Sequence, residues 1–327
     1  MARYVLARVA QYAIVLWLAV TLNFALPRLM PGDPLVLLAG EDVGRLDAAQ
    51  QLEIRRSYGL DQPVGEQYRA YLAGLLRGEL GFSYHERRPV AVMIGERLPW
   101  TLLLVGTATV LSTALGVAAG SLAAWRRGRA ADVGGLSLFL LLDSLPSFWL
   151  GMMLIALFAV QFRIFPLFGA TSLAQGQSGV AFMLGAGKRL VLPVATLTLA
   201  SAGGMFLLTR YAMIGVLGED YILTARAKGA GERRVLVRHA LRNAALPIAT
   251  ALLLRLGHLT GGATVVETVF SYPGMGRLMY QAVLSRDFPV VQGTFFLFTI
   301  TVIAANVAAD LVYPFLDPRL RSGGAGG

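Results

Sequence analysis

LPWTLLLVGTATVLSTALGVAAGSLAAW (residues 98–125) runs from Arg97 to Arg126 without a single charge. A bilayer core about 30 Å thick is crossed by a helix of about 20 apolar residues. This stretch exceeds that length, and three others match it: nothing charged lies between Arg8 and Arg28, Arg189 and Arg210, or Asp287 and Asp310. Two further intervals carry one interior charge each, Asp143 within 133–162 and Arg255 within 243–266. The expectation is six spans, near 9–27, 100–124, 134–160, 190–213, 245–266 and 290–315. The uncharged stretch 164–187 is crowded with Gly, Ser and Gln and reads as an outer loop. The composition agrees: 56% of the 327 residues are hydrophobic and only 15% are charged, against about a quarter charged in ordinary soluble domains. The first span is too long for a signal h-region and no small-x-small cleavage site follows it before Pro27, so it reads as a retained helix.

Six spans put both termini on one side, and lysine and arginine decide which. With the termini inside, inner pieces hold Arg3, Arg8, Arg126, Arg127, Arg129, seven basic residues from Arg210 to Arg242, Arg319 and Arg321. The two short outer loops hold Arg163, Lys188, Arg189, Arg277 and Arg286. Fourteen against five places both termini in the cytoplasm. The net charge of +10 is thereby topological, and nucleic acid is not an expected partner.

Outside the spans, residues 28–98 form an outer segment with helix punctuation. Asp47 precedes AAQQLEIRRSYG, which ends at Gly59; Asp61 and Pro63 precede VGEQYRAYLAGLLRG, which ends at Gly78. In the second, Val64, Tyr68, Tyr71, Leu72, Leu75 and Leu76 make one apolar face. The segment reads equally as a cap on the spans or as a docking surface. The longest inner loop, 217–244, carries six basic residues around Gly229 and Gly231 and reads as two short helices joined by a glycine turn. It suits anionic headgroups, and its Val235, Leu236, Val237 and Leu241 suit a protein groove equally.

Catalytic patterns are missing. There is no cysteine, and His85, His239 and His258 lie far apart, so no metal site is expected. The string Gly185-Ala186-Gly187-Lys188 is followed by Arg189 and lacks the first glycine of a phosphate loop. No GxSxG or GxGD pattern occurs. Ionisable residues inside spans are costly and are functional candidates by default. Here they are Asp143, Arg255 and Asp310, with His258 beyond Arg255 and Glu267 near the outer end of the fifth span. Arg255 lies nine residues beyond Leu246, about 13 Å deep and near the midplane. It reads either as a buried structural pair with an acid or as a path-lining charge. Asp310, at the inner end of its span, reads as structural.

A series of spaced strings then adds to this reading: MPGDP (30–34), YGLDQPVGEQY (58–68), GELGFSY (78–84), RLPWT (97–101), LPSFWLG (145–151), DYILTARAKGAGERRVLVRHALRNAALP (220–247), ETVFSYPGMGRL (267–278), RDFPVVQG (286–293) and LDPRLR (316–321). Together they resemble the permease subunits of ABC importers, in the dipeptide/oligopeptide/nickel permease family, over essentially the whole chain. The resemblance implies an all-α polytopic membrane protein of the type I importer kind in a bacterial inner membrane. Its parts would be residues 1–27 as cytoplasmic N-terminus and first span, 28–98 outside, 99–316 as the permease core and 317–327 as a cytoplasmic tail. It also implies that 217–245 is the coupling loop, whose short helix fits a groove on an ATP-hydrolysing subunit. Carried over, that loop takes in Asp220, Tyr221, Thr224, Ala225, Arg226, Ala227, Lys228 and Gly229, then His239 and Leu241. Leu223 stands where the general importer pattern has an acid, Thr224 and Ala225 take the two alanine positions, and Arg242 stands where it has proline. The implied partners are a second homologous permease, two ABC ATPases carrying ATP and Mg, an extracytoplasmic substrate-binding protein and membrane lipid. The chain itself would bind no cofactor. A rival class, a self-sufficient secondary transporter or channel, leaves the coupling loop without purpose, and the motif absences disfavour a membrane-embedded hydrolase. Arg255, His258, Glu267 and Asp143 are the candidate path-lining residues.

Overall fold

The computed structural model describes residues 2–29, 35, 46–57, 60–83, 85–167, 180–256 and 263–316. In chain order these form α1 (Ala2–Leu29), α2 (Ala48–Ser57), α3 (Val64–Leu76), two-residue strands β1 (Phe82–Ser83) and β2 (Arg88–Pro89), and α4 (Val90–Trp125). Then come α5 (Ala130–Ser144), α6 (Ser147–Leu154) with a π-helical extension (Ile155–Gln161), and α7 (Val180–Leu217). They are followed by α8 (Asp220–Ala227), α9 (Glu232–Arg234), a π turn (Val235–Leu241), α10 (Arg242–Leu256), α11 (Thr264–Val269), α12 (Met275–Leu284) and α13 (Phe288–Leu316). The strands pair antiparallel, Phe82 opposite Pro89, a small exception in a helical chain.

Among the described residues, four helices are long and apolar enough to cross a membrane: Arg8–Leu29, Val90–Trp125, Gly185–Leu217 and Phe288–Ala308. A fifth crossing counts α5 and α6 together. They bend by 101° at their junction, where a single straight span over 134–160 was expected. Pro146 causes the bend: it lacks an N–H and disfavours helical geometry at the residue before it, and Leu145 is extended. The expected outer loop at 164–187 also differs, because α7 already begins at Val180. Lys188 and Arg189 are therefore helical, and their long stems can carry the charge outward. The expected fifth span, 245–266, comprises α10, residues 257–262 outside the described set, and α11.

The chain divides into two compact units. In the first (Met1–Thr101, Pro273–Ile303), α3 lies along α1. Tyr68 meets the Phe24 ring edge-on, and the Tyr71 ring is 5.5 Å from it. The Tyr68 and Thr21 hydroxyls share a 2.7 Å hydrogen bond, and Arg28 donates twice to the Gln67 side chain. Val64 and Leu76, expected on one apolar face with the tyrosines, are exposed, and Gln67 is buried. Asp47 and Gln50 exchange side-chain and backbone hydrogen bonds at the start of α2, the reciprocal cap that its sequence announces. Asn23 and Gln292 each donate a side-chain amide to the other's carbonyl, joining α1 to α13.

In the second unit (Leu102–Tyr272, Ala304–Gly327), α7 is central and touches α5, α6, α10 and α11. Close approach rests on small residues, the usual device where lipid provides no drive for helix association. A Cβ on Gly120 of α4 would lie 2.6 Å from the Phe206 carbonyl of α7, and one on Gly116 would lie 2.8 Å from the Phe206 nitrogen. Val110 and Leu141 stay exposed, as lipid-facing residues do.

Candidate functional site: the inner loop and a charged cavity

The loop at 217–245 is a helix–turn–helix. α8 starts after Glu219 and ends as Lys228 leaves the helix. Gly229 follows at φ +77°, a left-handed conformation that glycine adopts at no steric cost. Its N–H donates to the Arg226 carbonyl at 2.9 Å, and the Ala230 N–H reaches Ala225 at 3.1 Å. Gly231 then precedes α9 in extended geometry. The loop is anchored on one side only. Ile222, Val235 and Ala240 are buried in a cluster with Met205, Met213, Ala124 and Ala244, while Asp220, Tyr221, Leu223, Thr224, Lys228 and Gly229 are exposed. Thr224 bonds back to the Asp220 carbonyl and Asn243 to the His239 carbonyl. Arg226 stands 3.7 Å from Glu232 and 5.4 Å over the Trp125 ring. Burial and the Glu219 carboxylate push the Tyr221 hydroxyl pKa up, against a hydrogen bond with Asn243. The second arm is not a short separate helix: its π turn runs straight into α10.

The same unit holds a cavity of about 500 Å³ lined by Thr109 and Ser112 of α4, Asp143 of α5, Ser201 and Gly204 of α7, and Arg255 of α10. Arg255 donates to the Ser201 carbonyl at 3.1 Å. Arg255 and Asp143, candidates from different spans, therefore meet in one space. Glu267 does not join them. It is fully buried on α11, with its carbonyl accepting from the Tyr272 N–H at 2.7 Å. His258 lies outside the described residues.

The family described as "Binding-protein-dependent transport system inner membrane component" matches residues 116–322. Its N-terminal companion, "Binding-prot-dependent transport system membrane comp, N-term", matches residues 1–105. The chain belongs to this family, the permeases of ABC importers. The dipeptide transport system permease protein DppB of Escherichia coli (strain K12) is 38% identical over 317 residues, covering 92% of the permease and 93% of DppB. The glutathione transport system permease protein GsiC of Escherichia coli O6:H1 (strain CFT073) is 38% identical over 322 residues, covering 98% and 99% of the two chains. The permease is thus an inner-membrane component that works with a binding protein and ATPase partners.

Two features of the permease escaped sequence reading. Asp132 and Arg210 form a buried two-pronged ion pair, 2.6 and 2.9 Å, between α5 and α7. Asp132 also accepts from the Gly128 N–H, tying down the turn that precedes α5. The pair lies 78 residues apart in sequence, and nothing local announces it. The other is the Gly203–Gly204 pair on α7, against which Asp143 and Arg255 rest. Two adjacent glycines within an apolar span are the signal that could have found it.

Proposed function

We propose that this permease forms one half of the translocation path of an importer for peptides or similar small solutes, the other half being a second, homologous permease. The chain crosses the membrane six times with both termini cytoplasmic, and residues 28–98 stand outside, where the binding protein delivers cargo. Residues 317–327 are a cytoplasmic tail. The peptide-class cargo rests on the likeness to relatives such as the dipeptide transport permease. ATP and Mg belong to two cytoplasmic ATPases, and the permease has no nucleotide site of its own.

One observation carries the coupling role: the loop at 217–245 is buried along one edge and bare along the other, around the left-handed Gly229. A transmission element needs this construction. Ile222 and Val235 fasten it to α7, so a push on the exposed edge at Leu223, Thr224 and Lys228 moves the helices that bound the cavity. Asp220, Tyr221, Ala225, Arg226, Ala227, His239 and Leu241 complete the contact segment. ATPase closure drives the path alternately open to either side, and Arg255 and Asp143 line it near the midplane. His258, spaced one turn beyond Arg255, remains a path-lining candidate by sequence position. Reconstitution with and without the ATPases tests the reading: uptake must require them and ATP. Ion-gradient-driven uptake by this chain alone would make it a secondary transporter instead.

A further inference from the structure

Two opposite charges share the cavity without direct contact. Asp143 and Arg255 both line it, yet among the described residues no ion pair joins them. Arg255 directs one N–H to the Ser201 carbonyl, and a guanidinium has five such donors. Both side chains are seated by glycine. A Cβ on Gly203 would lie 2.9 Å from the Asp143 Cβ and 3.0 Å from its Oδ1, and one on Gly204 would lie 3.2 Å from the Arg255 Nη2. Successive helix positions point about 100° apart, so α7 holds a carboxylate from α5 and a guanidinium from α10 against adjacent parts of its backbone.

A separated pair of charges inside a membrane is costly unless something compensates both. If the pair were there only to hold helices together, closing it directly would serve better. The cavity's 500 Å³ falls within the range of about 300–1,000 Å³ typical of small-molecule sites, and Thr109 and Ser112 lie along its wall, the Ser112 hydroxyl donating to the Thr109 carbonyl. A molecule carrying one positive and one negative end would satisfy both walls at once.

We propose that this cavity is a transient docking site for the zwitterionic backbone of the cargo, with Asp143 receiving an α-ammonium and Arg255 an α-carboxylate. The inference rests on the permease reading above and adds the cargo chemistry. Arg255 suits the carboxylate because its planar fork matches two oxygens. Recognition of the two termini alone leaves the cargo's side chains unread.

The test is ATP-driven uptake of L-alanyl-L-alanine into proteoliposomes by the complete complex with saturating loaded binding protein. Asp143→Asn and Arg255→Gln each lower initial uptake about tenfold or more, the effect of losing one charge-assisted hydrogen bond. ATPase stimulation and melting in detergent stay near wild type. The double variant is at least as impaired as the worse single. With alanyl-alanine amide, which lacks the carboxylate, Arg255→Gln matches wild type while Asp143→Asn still falls short. Recovery of uptake or assembly in the double variant would make the two residues a structural pair and overturn the proposal, as would unchanged uptake in both singles. Failure of the wild-type complex to take up the dipeptide would overturn the peptide reading itself, and the proposal with it.

Discussion

Gly229→Ala and Gly229→Glu are expected to fail differently, and the difference isolates the coupling contact. Gly229 sits at φ +77°, and a Cβ built there meets nothing within 4 Å. A β-carbon at this position therefore meets no clash from the chain itself. Both bear the same left-handed strain, about 1–2 kcal/mol for an L-residue, and both should lower the melting temperature in detergent by the same few degrees. Only glutamate adds a long, charged side chain to the bare edge of the turn. If a partner groove receives that edge, Gly229→Ala keeps most ATP-driven uptake. Gly229→Glu loses it, together with ATPase stimulation and co-purification of the ATPase subunits. The assay is uptake into proteoliposomes normalised to inserted permease, beside ATPase pull-down. Equal uptake and stimulation by the two variants would show that the turn faces lipid or solvent, and the coupling assignment would fall.

Asp132→Asn leaves Arg210 buried without its carboxylate and should destabilise the permease by about 3–5 kcal/mol, read by melting in detergent; a melt matching wild type would deny the pair a structural role. Gly120→Ala must displace the Phe206 carbonyl, 2.6 Å away, whereas Gly106→Ala enters open space. The first should cost about 1–3 kcal/mol and the second should be neutral or stabilising, and equal melts would contradict the α4–α7 packing. Asp287 is buried, which holds its carboxyl pKa above the usual carboxylate range, partly offset by hydrogen bonds from Ser83 and from the Val290 amide. Such a group binds its proton more tightly when folded, so its contribution stabilises at acid pH and is lost as pH rises through the folded value. Asp287→Asn, which still caps α13, is expected to melt above wild type at neutral pH and level with it at acid pH. Parallel melting profiles across that range would refute the assignment.

Much of the permease was legible because its signals are local. Charge-free runs mark the membrane helices wherever the chain lacks charge, since a bilayer accepts little else. Asp47 announces the start of α2 because a cap is made within one turn, and Gly229 announces the inner turn because only glycine adopts that φ freely. The sequence motifs of the inner loop likewise sit within a single stretch, and the family they suggested is the family that matches.

What tertiary structure alone decided concerns which faces meet. The α5–α6 stretch is as apolar as a straight span, and the Pro146 that breaks it was visible, but the size of the bend, 101°, is seen only in the folded chain. α7 extends back to Val180, and glycines 185 and 187 lie within the helix although their composition argued against it. Val64, Tyr68, Tyr71 and Leu76 read as one apolar face, and only part of it packs: α1 offers Phe24, Thr21 and Arg28 to α3, and this favours tyrosine and Gln67 over aliphatic ends. The sequence alone marked Asp143 and Arg255 as expensive residues inside spans and could say nothing of their company. Their meeting across α7 depends on Gly203 and Gly204 removing two side chains at the crossing. Such a crossing joins residues more than fifty positions apart, and periodicity, which reports one helix at a time, carries no information about it.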